Sequence, residues 1–121
     1  MLIVFMLIES ESIELVSSDV VLFENNSNPY EERRIFVNLC LQKAKHIQPI
    51  NESLLTRAQA TEKDQIKGLD ALHLACAEEL KVDYFLTCDD KMLKRYKGPI
   101  KLQSPVDFVT NILKKEQTND S

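Results

Sequence analysis

Between Gly68 and Asp89 the chain reads Gly-Leu-Asp-Ala-Leu-His-Leu-Ala-Cys-Ala-Glu-Glu-Leu-Lys-Val-Asp-Tyr-Phe-Leu-Thr-Cys-Asp, and no other stretch constrains the fold as much. From Leu69 to Ala77 only Asp70 and His73 are polar, so this is a helix buried nearly all round, with alanines that let it lie close against a sheet. Tyr84 to Thr87 follows as a continuous apolar strand, the pattern of a strand covered on both faces. A buried helix with a carboxylate in its first turn thus leads into a buried strand that ends in Thr-x-Asp. Two acids, Asp70 and Asp89, are brought near one place.

The rest of the chain alternates short apolar runs with amphipathic ones. Met1 to Ile8 is too uniformly apolar for periodicity to separate helix from strand, and the end of a buried helix is the expectation. Ile13 to Ser17 reads as a short strand. Ser17-Ser18-Asp19 favours a helix N-terminus, with Val20 to Glu24 on a short helix closed by Asn25 to Asn28. Asn28-Pro29-Tyr30-Glu31 has the form of another start, and predicts a helix to about Lys45 with Ile35, Phe36, Leu39 and Cys40 as its apolar stripe. Ile47-Gln48-Pro49-Ile50 is a strand confined to a sheet edge, because Pro49 has no N–H to donate. Asn51 caps a polar helix through about Gln65, and Gly68 breaks the chain before the central helix. Beyond Asp89 a short helix turns Met92, Leu93 and Tyr96 inward. Ile100 to Gln103 alternates as a second edge strand. Ser104-Pro105-Val106-Asp107 starts a last helix to about Lys115, with Val106, Phe108, Val109 and Ile112 buried and a polar, fraying tail from about residue 116.

This alternation predicts an α/β fold in a single domain spanning 1–121: a mainly parallel sheet with helices on both faces, three layers in all. With only two glycines and four prolines the chain is poorly suited to a turn-rich all-β design. Cys40, Cys76 and Cys88 are odd in number and show no Cys-x-x-Cys spacing, so reduced thiols in a cytoplasmic protein are expected rather than a zinc site. The apolar opening is too short to span a membrane and has no basic leader, which excludes a span or signal peptide there. A net charge of -4 gives no global attraction to nucleic acid, so binding of that kind needs a local basic patch.

In parallel α/β sheets ligands bind beyond the carboxyl ends of the strands. Ser17 and Thr87 mark such ends, which places Glu24, Asp70 and Asp89 at one rim. Clustered carboxylates repel one another and need raised pKa values, a cationic partner or a hard divalent metal. Magnesium or manganese suits such a site, and its chemistry points to phosphodiester hydrolysis. Lys91, Lys94, Arg95 and Lys97 form a solvated helix face placed to steer phosphate to the rim, with Arg33 and Arg34 a weaker second patch. Taken singly, Asp70 and Asp89 read as helix N-terminal caps, Glu24 as a solvated residue, and His73 and Cys76 as packing between helix and sheet rather than metal ligands.

Four segments, Ser17-Ser18-Asp19-Val20-Val21-Leu22-Phe23-Glu24, Leu69-Asp70-Ala71-Leu72-His73-Leu74-Ala75, Tyr84-Phe85-Leu86-Thr87-Cys88-Asp89 and Ser104-Pro105-Val106-Asp107-Phe108, together resemble the PIN-domain ribonucleases, which include the VapC-type toxins. The resemblance runs through nearly the whole chain in order. It implies that Glu24, Asp70 and Asp89 correspond to the family's second, third and fourth acids, with Thr87 supporting the metal site and Asp90 a neighbouring cap or supporting group. It also implies a parallel sheet in the order 3-2-1-4-5 and cleavage of single-stranded RNA with magnesium or manganese.

The resemblance departs at the start. The family's first strand ends in an Asp that supplies the first metal ligand, whereas the first carboxylate here is Glu9. Only Glu9 to Ser12 separate the apolar opening from the next strand, too few for a parallel crossover. The central first strand and its Asp are therefore expected to be missing, and the chain as written to have little activity. Two functions follow as expectations: a toxin-like ribonuclease with a protein antitoxin, or a catalytically inactive module that binds a protein partner or RNA. In either case uncovered strand edges would favour a homo-oligomer.

Overall fold

The computed structural model describes residues 2–119, in the order α1 (Leu2–Glu9), β1 (Val16–Ser18), α2 (Asp19–Asn26), α3 (Glu31–Leu41), β2 (His46–Gln48), α4 (Glu52–Thr61), a 3-10 turn (Glu62–Asp64), α5 (Gly68–Leu80), β3 (Tyr84–Leu86), α6 (Asp90–Arg95), β4 (Lys101–Gln103) and α7 (Pro105–Asn119). The alternating α/β order expected from the sequence is the observed one. All strand pairing is parallel: β1 lies beside β2 with Ser17 opposite Ile47, and β3 beside β4 with Phe85 opposite Leu102. These are two separate two-stranded sheets, and among the described residues no strand joins them. Each strand is three residues long and paired on one side only, and β2 ends at Gln48, so Pro49 and Ile50 of the expected Ile47–Ile50 strand lie outside it.

The central helix holds the core together. Six residues of α5 are buried, from Ala71 and Leu72 through Leu74, Ala75, Cys76 and Ala77. Leu74 packs with Val20 of α2 and Leu54 of α4 as the largest side chains fully out of water. The alanines bring α4 and α2 close, so α5 touches β1, α2 and α4 together. Phe85 and Leu102 from the second sheet, with Met92 of α6, close the other side.

Local chemistry sets most helix starts. Ser18, Asn51 and Asp89 each accept a backbone N–H of their helix's first turn, from Val21, Leu54 and Lys91 respectively, and Ser104 accepts the N–H of Asp107. Gly68 stands at the start of α5 with φ of +62°. An added Cβ there would meet nothing within 4 Å, so the left-handed backbone and not crowding favours glycine.

Some boundaries differ from the sequence reading. Asn28 does not cap α3: its side chain accepts the N–H of Tyr30 in a local turn, and the helix starts at Glu31 after an uncapped Tyr30. That helix stops at Leu41 rather than Lys45, because the Lys45 N–H is taken by the Leu15 carbonyl as the chain enters β2. Its expected apolar stripe is only half covered: Phe36 meets Phe5 of α1 at 5.9 Å, while Ile35 and Leu39 are about half exposed. Val106 is exposed, not buried, whereas Phe108 is buried with its ring edge-on to Tyr84. The last helix continues to Asn119, past the expected end at Lys115, and residues 120 and 121 of the expected tail lie outside the described residues.

Candidate functional site

Each acid reaches the rim for a local reason. Asp70 is the third residue of α5, following the Gly68 start, and half-buried by the packing of that helix. Asp89 follows β3 and caps α6, its Oδ1 accepting from Lys91 at 2.9 Å and Met92 at 3.3 Å. Thr87 steadies it, the Oγ1 accepting the Asp89 N–H at 3.1 Å. Glu24 lies on α2, immediately before a buried Asn25 that ties α2 to the Arg34 carbonyl and the Asn38 side chain of α3. Cys40, Cys76 and Cys88 are free thiols.

These three acids feel one another. Burial pushes the Asp70 carboxyl above its usual range, and the charges of Asp89 and then Glu24 push it further, with His73 opposing them. His73 is mostly buried, its ring 6.4 Å from that of Phe85, and its Nε2 lies 3.1 Å from Glu24 Oε1. It therefore packs between helix and sheet as expected, and also holds the Glu24 carboxylate, a contact the sequence reading did not assign. The signal was present in the spacing: His73 falls one turn after Asp70, on the same side of α5.

A small cleft of about 70 Å³ opens beside the acids. Asp70 and Asp89 line it together with Lys67, Lys91 and Arg95, over a floor of Ile66 and Met92. Of the cations singled out in the sequence, Lys91 and Arg95 therefore reach the acids' neighbourhood, while Lys94 and Lys97 are exposed elsewhere on or after α6 and Asp90 is exposed at its first position. Lys67, which the sequence reading passed over, belongs to the same wall.

Carboxylate oxygens are the donor type that a hard divalent cation takes, and the neighbouring acids oppose the ionisation of Asp70. The arrangement is nevertheless open. Among the described residues no three His, Cys, Asp or Glu side chains stand close enough together to hold a metal ion. Nor, among them, is any helix long and apolar enough to cross a membrane.

When the chain is compared with known proteins, residues 4–99 match the family model described as the PIN domain. Neither the curated proteins nor the solved structures gave a match.

Proposed function

Because the chain belongs to the PIN-domain family, we propose that it is a divalent-metal-dependent ribonuclease of the toxin type, acting on single-stranded RNA at a site built on Glu24, Asp70 and Asp89. The observation that carries this reading is that Asp70 and Asp89 line one cleft beyond β3 while His73, one turn along α5 from Asp70, holds Glu24 at 3.1 Å. Magnesium or manganese there would supply a clamp for phosphate oxygens and an activated water. The chain's own groups do the rest. Thr87 fixes Asp89, His73 aims Glu24, and the apolar surround of α5 raises the cost of leaving Asp70 ionised without a cation. A toxin role would add a protein antitoxin in the cytoplasm as the natural partner. Ile3, Met6, Ile35 and Leu39, each about half exposed on α1 and α3, support self-association as part of the same reading.

Calorimetric titration with manganese, together with cleavage of a labelled single-stranded RNA, tests the proposal. Binding should be seen in the parent chain and lost in Glu24→Gln, Asp70→Asn and Asp89→Asn, and any cleavage should fall with it. Equal manganese binding by all four proteins would overturn the assignment of these acids. A second reading, a catalytically silent module that binds RNA or a protein, is favoured by the openness of the acid group, in which, among the described residues, no three metal-ligating side chains stand close enough to hold an ion. Absence of manganese binding by a well-folded parent chain would select it.

A further inference from the structure

From Leu69 to Ala77 the central helix is apolar except at Asp70 and His73, and His73 is the residue that packing alone does not explain. Its side chain is only 10% exposed and its ring lies 6.4 Å from that of Phe85, a place that a leucine would fill without bringing in a polar atom. A buried imidazole costs stability unless its nitrogens find partners. Nε2 finds one in Glu24 Oε1, 3.1 Å away on α2. Carboxylate oxygens accept, so the hydrogen of this contact sits on Nε2 whichever charge the ring carries.

Glu24 has little else to hold it. The backbone around it is fixed, because Val20 is fully buried in the core and Asn25 is tied to the Arg34 carbonyl and the Asn38 side chain. Its own side chain is 45% exposed and rich in rotamers. Among the described residues His73 is the one hydrogen-bond or ion-pair partner of that carboxylate. Asp70, whose carboxyl the Glu24 charge pushes up, repels it towards solvent. His73 lies one turn along α5 from Asp70, so its grip runs from the half of the structure that contains β1 to the helix that bears the next acid. The grip takes Oε1 and leaves Oε2 without a partner among the described residues.

We infer that His73 is a positioning residue for the acid site: its Nε2–H pins Glu24 Oε1 and so reserves Oε2 for a divalent cation shared with Asp70. This deepens the metal-site reading above and rests on it. What the site requires at position 73 is a hydrogen-bond donor of the right reach, and neither the aromatic ring nor a positive charge. A group that orients a ligating side chain in this way commonly changes metal affinity by about 10- to 100-fold when it is removed.

Calorimetric titration of the full chain with manganese chloride, on parent, His73→Leu, His73→Gln and His73→Asn, tests this, with thermal melts of the same samples. His73→Leu keeps the apolar contacts and loses the donor, and should weaken manganese binding by about tenfold or more at an unlowered melting temperature. His73→Gln keeps an N–H of similar reach and should restore most of the affinity. His73→Asn, whose amide is too short to reach Glu24, should behave as the leucine variant does, and keeps the comparison open if the leucine variant fails to fold. In EDTA, urea melts of Glu24→Gln, His73→Leu and the double variant should show a coupling of at least about twofold in the folding equilibrium constant. Parent-like manganese affinity in both His73→Leu and His73→Asn, with binding lost in Glu24→Gln, overturns the positioning role and leaves the acid assignment standing. Tighter manganese binding in His73→Leu also overturns it, and makes the contact a latch that withholds Glu24. A glutamine variant as weak as the leucine variant, at equal melting temperature, overturns the requirement for a donor. A well-folded parent chain that binds no manganese overturns the metal-site reading and the positioning role together.

Discussion

Replacing Tyr96 by Phe should loosen the segment between α6 and β4, and the effect can be worked from two hydrogen bonds. The Tyr96 hydroxyl donates to Glu78 Oε2 at 2.5 Å and accepts the Ile100 N–H at 3.3 Å, pinning the turn between α6 and β4 onto the C-terminal end of α5. A hydrogen bond to a charged group is worth about 1.5–3 kcal/mol, and the stranded partners here are only partly buried, so Tyr96→Phe should cost about 2 kcal/mol. The unfolding entropy of a chain this long is about 250 cal/mol/K, which makes the loss a fall in Tm of about 8 °C.

The same contact has a pH signature. Burial, and then the hydrogen bond to Glu78, raise the Tyr96 phenol above its ordinary value of 10.0. Its stabilising contribution is complete below pH 10, and is lost as pH climbs from 10 towards the folded value, because the unfolded chain releases a proton that the native state keeps. The parent should therefore lose up to about 1.4 kcal/mol per pH unit above 10 through this group, less to the degree that water screens the half-buried ring. Tyr96→Phe lacks that loss, so the gap between the two proteins narrows from pH 10 to 11. Urea melts of both proteins between pH 7 and 11 measure it, with the other titrating groups common to both. A gap under about 0.5 kcal/mol at pH 7, or one that stays constant through pH 11, would refute the reasoning.

Asp70→Asn should stabilise the metal-free chain at pH 7, since it removes an ionised carboxylate that burial and two acids disfavour. The gain should vanish below the ordinary value of 3.8, where both states are neutral, and urea melts at pH 7 and about pH 3 would show it. A loss of stability at pH 7 would instead mark Asp70 as a structural cap. Gly98→Ala should cost about 1–3 kcal/mol by thermal melting, because the new Cβ would collide with the Tyr96 ring and hydroxyl and come within 2.7 Å of Glu78 Oε2. Manganese at about 100 times its Kd should raise the parent's stability by about 2.7 kcal/mol, and calorimetric scans of Asp70→Asn should show no such rise.

Where a residue's own chemistry decides its conformation, the sequence was a sufficient guide. Pro49 lacks a donor, and β2 ends at Gln48 just before it; Asn51 and Asp89 can accept first-turn N–H groups, and both do. Asn28 shows the limit, because the same side chain can close a local turn or cap a helix, and it closes the turn with Tyr30. Apolar spacing named the faces of α3 and α7 that could be covered, but coverage depends on a neighbour: Phe36 meets Phe5, and Ile35 and Val106 meet water. Asp89 was legible as a helix cap because it directly follows β3 and precedes α6, and Asp70 as a first-turn acid because it stands two residues after the Gly68 start of α5. Lys67 was not, since its place in the cleft depends on the left-handed turn at Gln65 and the burial of Ile66, features of the folded loop that no periodicity carries.

The split of the sheet bears on how firmly the acids are held. Glu24 follows β1, while Asp89 follows β3, and among the described residues no backbone ladder joins those strands. The two halves of the acid group are registered through α5, which packs on β1 and α2 and carries both Asp70 and His73. One buried helix therefore joins the two halves, and the 3.1 Å contact from His73 to Glu24 is one of its ties to the first half. Side-chain packing gives way more readily than a continuous hydrogen-bonded sheet, and the three carboxylates repel across that junction. Because packing at α2 ties Glu24 to α5, a shift of Glu24 relative to Asp70 and Asp89 requires adjustment at α2 and not a break in either sheet.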